Sequence, residues 1–123
     1  MQDSNILSLE QVSKYFYTSS GFFNHGKHFA ALDNVSLSAA SGSSLGIVGE
    51  SGSGKTTIAR LMCSIYKADK GRVLYDGKDI SILSKNEKQE YMKNVQMVFQ
   101  DTNNTLNPKL TIKSALSDGI KQH

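Results

Sequence analysis

The octet Gly49-Glu50-Ser51-Gly52-Ser53-Gly54-Lys55-Thr56 sits between two segments of different periodicity, and this constrains the fold more than any other feature of the chain. Before it runs Leu45-Gly46-Ile47-Val48, short, apolar on both faces and bounded by glycine, which predicts a central strand of a parallel sheet. After it, Ile58, Leu61, Met62 and Ile65 recur at steps of three and four, the spacing of one helix face. Strand, glycine loop and helix in that order predict an α/β fold with a parallel-sheet core.

The octet matches G-x-x-x-x-G-K-[ST] without a gap. At average residue usage such a match arises by chance in roughly one chain in 250 of this length, so a flexible linker that happens to hold a lysine is the weaker reading. Glycines lack Cβ, which lets the loop fold tightly enough for successive backbone N–H groups to point at phosphate oxygens. The following helix N-terminus adds free N–H groups and partial positive charge. Lys55 supplies a full charge for the β and γ phosphates, and the Thr56 hydroxyl can ligate Mg²⁺. Gly49, Ser51, Gly52, Ser53, Gly54, Lys55, Thr56 and Thr57 are therefore the candidate triphosphate-binding residues.

Composition removes several other classes. With 38% apolar residues and one proline among 123, the chain reads as one globular unit. Its 14 basic and 11 acidic side chains are interspersed, a solvated surface and not a nucleic-acid groove. Cys63 stands alone, which excludes a disulfide framework and points to a reducing compartment and a packed thiol. Neither a charged-then-apolar leader nor a run of about 18 apolar residues is present, so membrane association is expected to pass through a partner protein.

Elsewhere, residues 1–44 read as two strands and a hairpin. The segment from Ile6 to Val12 alternates partially, Lys14-Tyr15-Phe16-Tyr17 clusters three aromatics, Thr18 to Lys27 is a polar loop, and Phe29 to Leu37 resumes strand pattern before the turn Ser41-Gly42-Ser43-Ser44. Arg72-Val73-Leu74-Tyr75 followed by Asp76-Gly77 signals a hairpin with a short return strand. Ser84 to Asn94 reads as an exposed helix anchored by Leu83 and Tyr91, Val95 to Phe99 as a second buried strand ending at Gln100, and Thr111 to Ile120 as a further helix after the loop that contains Pro108.

Taken together these segments resemble the N-terminal part of the ATP-binding subunit of an ABC transporter. The resemblance runs through Val12-x-Lys14-x-Phe16, Ala31-Leu32-Asp33-Asn34-Val35-Ser36-Leu37, the octet, and the hairpin Gly71-Arg72-Val73-Leu74-Tyr75-Asp76-Gly77-Lys78-Asp79-Ile80. Val98-Phe99-Gln100-Asp101 with Thr105-Leu106-Asn107-Pro108 is similar to the Q-loop of the oligopeptide, dipeptide and nickel importer branch. The resemblance implies a P-loop NTPase fold: an antiparallel β subdomain at about residues 1–44 and 71–80, the phosphate loop and helix at 45–70, a Q-loop strand at 95–100 and the start of a helical subdomain at 101–123. It makes Phe16 the platform for adenine, with Tyr15 and Tyr17 as alternatives, and gives Gln100 a place beside Mg²⁺ and the attacking water. ATP and Mg²⁺ are the implied cofactors. A second ATP-binding subunit, identical or not, and transmembrane permease subunits are the implied partners, at the cytoplasmic face of the membrane.

Other parts of the family pattern do not occur in these 123 residues: there is no L-S-G-G-Q, no later apolar strand ending in Asp-Glu, and no switch histidine, since His25 and His28 precede the octet and His123 is terminal. Phosphoryl transfer to water needs a positioned nucleophile as well as neutralised charge. The expectation is weak Mg-ATP binding without turnover, and apolar strand edges left open. A non-transport ABC ATPase, a small P-loop kinase and a non-catalytic nucleotide-binding module are the competing readings; the Gly71 hairpin and the Gln100 segment weigh against the kinase.

Overall fold

The computed structural model describes residues 5–18, 27–100 and 109–122. The two N-terminal strands, β1 (Asn5–Thr18) and β2 (Lys27–Ala40), pair antiparallel, and β3 (Lys70–Tyr75) and β4 (Lys78–Asp79) extend the sheet in the order β2-β1-β3-β4. The partial alternation of the β1 sequence has a structural cause. Leu9 and Val12 are both buried although three residues apart, because Gln11 adopts a left-handed φ of 50° and is the extra residue between the pairs Leu9↔Leu37 and Val12↔Val35. Asn34, at φ 51°, is the matching extra residue on β2 before Lys14↔Leu32, and a third shift leaves Ala31 out of register. Bulges of this kind bend a strand and re-aim its side chains.

The bulges at Gln11 and Asn34 are each tied down. The Gln11 N–H donates to Ser36 Oγ at 2.9 Å, and the Asn34 N–H donates to the buried Ser13 Oγ at 3.0 Å. Gly71, at φ 78°, lies against the backbone carbonyls of Glu10 and Gln11 so closely that a Cβ there would overlap both. This is one place where glycine is required.

The core lies where α1 (Lys55–Met62) crosses the sheet: Ile58 and Leu61 meet Leu9, Val12, Leu32 and Val73. Burying side chains of this size contributes about 1.5–3 kcal/mol each. The helix is shorter than its apolar spacing predicts. Ser64 takes a left-handed φ of 56°, the Ile65 N–H turns back to the Arg60 carbonyl at 2.9 Å and the Ser64 N–H to that of Leu61 at 3.0 Å, a Schellman ending built on serine. Ile65 therefore leaves the predicted helix face and is half exposed.

The Asp76-Gly77 turn has positive φ at both residues, 47° and 74°, as a two-residue type I′ hairpin demands, and its return strand β4 is two residues long. Helix α2 (Lys85–Asn94) starts in a capping box, Ser84 Oγ accepting from the Glu87 N–H while the Glu87 carboxylate accepts from the Ser84 N–H. Tyr91 is its buried anchor, edge-on to Tyr75 at 5.1 Å and donating its hydroxyl to the Met62 carbonyl. Helix α3 (Ile112–Gln122) follows, with the Ser114 N–H donating to Thr111 Oγ1.

Two predicted strands do not form. Residues 45–48 and 95–100 carry no strand pairing, and Leu45, Ile47, Val48, Val98 and Phe99 are exposed, Val48 and Val98 almost completely at 97% and 91%. A buried strand needs a hydrogen-bonded neighbour on each side, and the only sheet among the described residues is antiparallel and built from β1 to β4. Their apolar character is evident in the sequence; their partners are not among the described residues. Residues 1–4, 19–26, 101–108 and 123, with the polar loop and the Thr105-Leu106-Asn107-Pro108 segment expected from the sequence, lie outside the described residues.

Candidate functional site

Chain geometry at the start of α1 explains the glycines of the octet. Gly54 is the N-cap residue at φ 92°, ψ −1°, and a Cβ on it would stand 2.7 Å from the Ala31 carbonyl oxygen and 2.7 Å from Leu32 Cδ2. The loop is thus pressed against the bulged part of β2. Gly52 also has a left-handed φ, 82°, but faces open space.

Because Gly54 has no side chain, the N-terminus of α1 has no side-chain cap. The amides of Lys55, Thr56 and Thr57 donate to no backbone carbonyl among the described residues, the first bonds being Ser53 N–H to Glu50 O at 3.2 Å and Ile58 N–H to Gly54 O at 2.9 Å. Free donors at a helix N-terminus favour an anion. The Lys55 ammonium lies over the same loop, donating to the carbonyls of Gly49 at 2.7 Å and Glu50 at 2.6 Å and to Ser53 Oγ at 3.1 Å.

Residues 52–57 form one wall of a cavity of about 230 Å³ whose other wall is Phe16 of β1 with Phe29 and Ala31 of β2. Gly49 and Ser51 lie outside that lining; Gly49 acts through its carbonyl on Lys55, and Ser51 is exposed in the loop. Phe16 is held from behind, edge-on to Tyr66 at 5.3 Å with Lys14 Nζ 5.6 Å from its ring centre.

Strand alternation sends Tyr15 and Tyr17 elsewhere: they line a separate cavity with His28 and Asp69. There the Tyr15 N–H donates to Asp69 Oδ2 at 2.7 Å, and this bond first, with Lys14 at 3.1 Å, holds the Asp69 carboxyl below its ordinary value against the opposing effect of burial. Gln100 is exposed and does not line the loop cavity. Phe29 and Ala31 are the site residues that sequence reasoning missed. The signal was present, because an antiparallel hairpin places residues equidistant from its loop opposite each other, and Phe16 pairs with Phe29.

These residues fit a polyphosphate: uncapped amides, one ammonium held over the loop, and no carboxylate among the cavity-lining residues. No group of three or more His, Cys, Asp or Glu that could hold a metal occurs among the described residues; the cavity lining offers a cation the hydroxyls of Ser53, Thr56 and Thr57. Cys63, next to α1, has its thiol pushed up by burial, which disfavours the reactive thiolate. No helix among the described residues is long and apolar enough to cross a membrane.

Comparison with known proteins matches residues 32–122 to the family described as ABC transporter. The chain is 44% identical over 120 residues to the oligopeptide transport ATP-binding protein AppF of Bacillus subtilis, covering 96% of this chain and 36% of that one. It is 38% identical over 119 residues to OppF of Lactococcus lactis, covering 96% and 37%. The chain thus spans about a third of the length of these curated relatives. Among solved structures, a dimeric ATP-binding cassette in a post-hydrolysis state with ADP and Pi is similar at a TM-score of 0.66 and 29% identity over 85% of this chain and 42% of that one. A nucleotide-free ATP-binding cassette from an ABC transporter is similar at 0.55 and 38% identity over 71% and 30%. The antiparallel sheet and α1 described above are thus part of an ABC-type α/β nucleotide-binding fold.

Proposed function

The chain belongs to the ABC transporter family, and from that premise we propose that residues 1–123 are the nucleotide-holding N-terminal portion of the ATP-binding subunit of an importer for peptides or nickel. The observation that carries the reading is the shared cavity, in which residues 52–57 and Phe16 face one another across about 230 Å³. An aromatic ring and a phosphate loop lining one cavity match the chemistry of a nucleotide's two ends.

In this reading the amides of Gly54, Lys55, Thr56 and Thr57 and the loop glycines hold the phosphates, and Lys55 leaves Gly49, Glu50 and Ser53 to pair with them. Thr56 offers its hydroxyl to Mg²⁺, and Phe16, fixed by Tyr66, offers its ring face to adenine. Bound Mg²⁺ would supply charge neutralisation on the phosphates. Gln100 has the role of metal and water contact in the intact protein, where an exposed, neutral amide can approach or withdraw without changing charge.

The division into an antiparallel region at about 1–44 and 71–80, a phosphate loop and helix at 45–70, a Q-loop segment at 95–100 and the start of a helical subdomain at 101–123 is part of the same proposal. The names of the relatives, oligopeptide transport ATP-binding proteins, support a peptide importer. In this reading the chain pairs with a second ATP-binding subunit and with permease subunits at the cytoplasmic face of the membrane. Hydrolysis belongs to the intact protein. Residues 1–123 contain no later apolar strand ending in Asp-Glu and no L-S-G-G-Q, so in this reading they bind Mg-ATP and do not turn it over.

The test is nucleotide binding to this chain with and without Mg²⁺, for wild type, Lys55→Ala and Phe16→Ala. Both variants should weaken ATP, Lys55→Ala the more strongly. Binding indifferent to both would overturn the reading, and steady phosphate release that disappears in Lys55→Ala would overturn the inactivity.

A further inference from the structure

We infer that Phe29 is a second base-contacting residue, forming with Phe16 a cross-strand aromatic pair that selects ligands carrying a flat aromatic base; the inference rests on the nucleotide reading of the loop and extends it. Phe16 and Phe29 are direct register partners on antiparallel strands. Such partners project from the same face with Cβ atoms about 5 Å apart. Both line the cavity closed by residues 52–57.

The two rings are in different states. Phe16 is committed, packed edge-on against Tyr66. Phe29 has no ring partner among the described residues and is 55% exposed, although its neighbours on the register go to other tasks: the Tyr17 and His28 rings meet at 4.4 Å, tilted by 57°, on the opposite face. An exposed phenylalanine costs solubility, and beside a phosphate loop it supplies apolar area where the ligand's base must lie. The skipped residue Ala31 strengthens the point. Its carbonyl is in close approach to Gly54, so the bulge that seats the phosphate loop also sets where Phe29, two residues earlier, stands. The base and phosphate ends of the site are thus fixed by one stretch of β2. Only a ligand with both ends can use it fully.

The experiment compares ATP with inorganic tripolyphosphate on the full 123-residue chain, in wild type, Phe29→Ala, Phe29→Tyr and Lys55→Ala, with circular dichroism as a folding control. Loss of an aromatic stacking surface predicts about 5- to 50-fold weaker ATP binding in Phe29→Ala, tripolyphosphate unchanged within about twofold, and ATP restored in Phe29→Tyr. Equal loss of both ligands, or no loss of either, overturns the inference while leaving the phosphate loop standing. If Lys55→Ala binds tripolyphosphate as well as wild type does, the phosphate reading itself fails, and this inference with it.

Discussion

Replacing Gly54 by alanine tests whether the phosphate loop is seated on β2, and Gly52→Ala supplies the internal control. Both glycines have left-handed φ, 92° and 82°, so both substitutions impose backbone strain of about 1–2 kcal/mol on a residue with a Cβ. They differ in what the new methyl meets. At Gly52 it meets nothing within 4 Å; at Gly54 it meets the Ala31 carbonyl oxygen and Leu32 Cδ2, each at 2.7 Å. The carbonyl is backbone and Leu32 is a core residue only 4% exposed, so neither yields freely. Forcing a methyl into such a contact costs about 1–3 kcal/mol beyond the strain. At about 4 °C per kcal/mol, Gly54→Ala should melt about 4–12 °C below Gly52→Ala. Thermal unfolding followed by far-ultraviolet circular dichroism reads the difference, with urea unfolding as a check. Equal midpoints would refute the close approach of loop and strand, and with it the account of how Phe16, Ala31 and the loop come to share a cavity.

Gly71→Ala combines left-handed strain with overlap on the Glu10 and Gln11 carbonyls and should cost about 2–5 kcal/mol in urea unfolding; a cost under about 1 would mean the β1 bulge relaxes easily. The Glu87 carboxyl, held by Ser84 first and then Lys78, is depressed from 4.5 to about 2. Its contribution is therefore present above about pH 4.5 and lost as pH falls toward 2, and the protection of the α2 amides, corrected for the intrinsic exchange rate at each pH, should fall through that window in wild type but show no such step in Glu87→Gln. Tyr91→Phe strands the Met62 carbonyl that the hydroxyl satisfies and should destabilise by about 1–3 kcal/mol in urea unfolding, an unchanged midpoint refuting the buried bond. With its thiol pushed up by burial, Cys63 should be alkylated by iodoacetamide at pH 8 several-fold more slowly than free cysteine, and at the same rate only after unfolding.

Local chemistry was the legible part of this chain. The Asp76-Gly77 turn, the Ser84 cap with Glu87 three residues on, and the octet each carry their conformation in adjacent residues, and each is where the sequence places it. Pairing was less legible. Residues 45–48 and 95–100 have the apolar character of buried strands, but a strand is defined by its neighbours, and nothing in those stretches names them. The bulges at Gln11 and Asn34 show the same limit from the other side: they break the alternation that sequence reading relies on, yet they allow Leu9, Val12 and Leu32 to share one core. Phe16 is named by the family resemblance that Val12-x-Lys14-x-Phe16 carries, and it lines the loop cavity, whereas the place of Phe29 beside it becomes visible only when the hairpin register is known.

The grip of Lys55 on its own loop has a consequence for how firmly this chain retains an anion. Its ammonium already has three oxygen partners, so in the proposed nucleotide site an incoming phosphate competes with the Gly49 and Glu50 carbonyls and Ser53 Oγ for the same three protons. The lysine is then a resident rival of its own ligand: whatever an anion gains from the ammonium is reduced by the bonds the loop gives up.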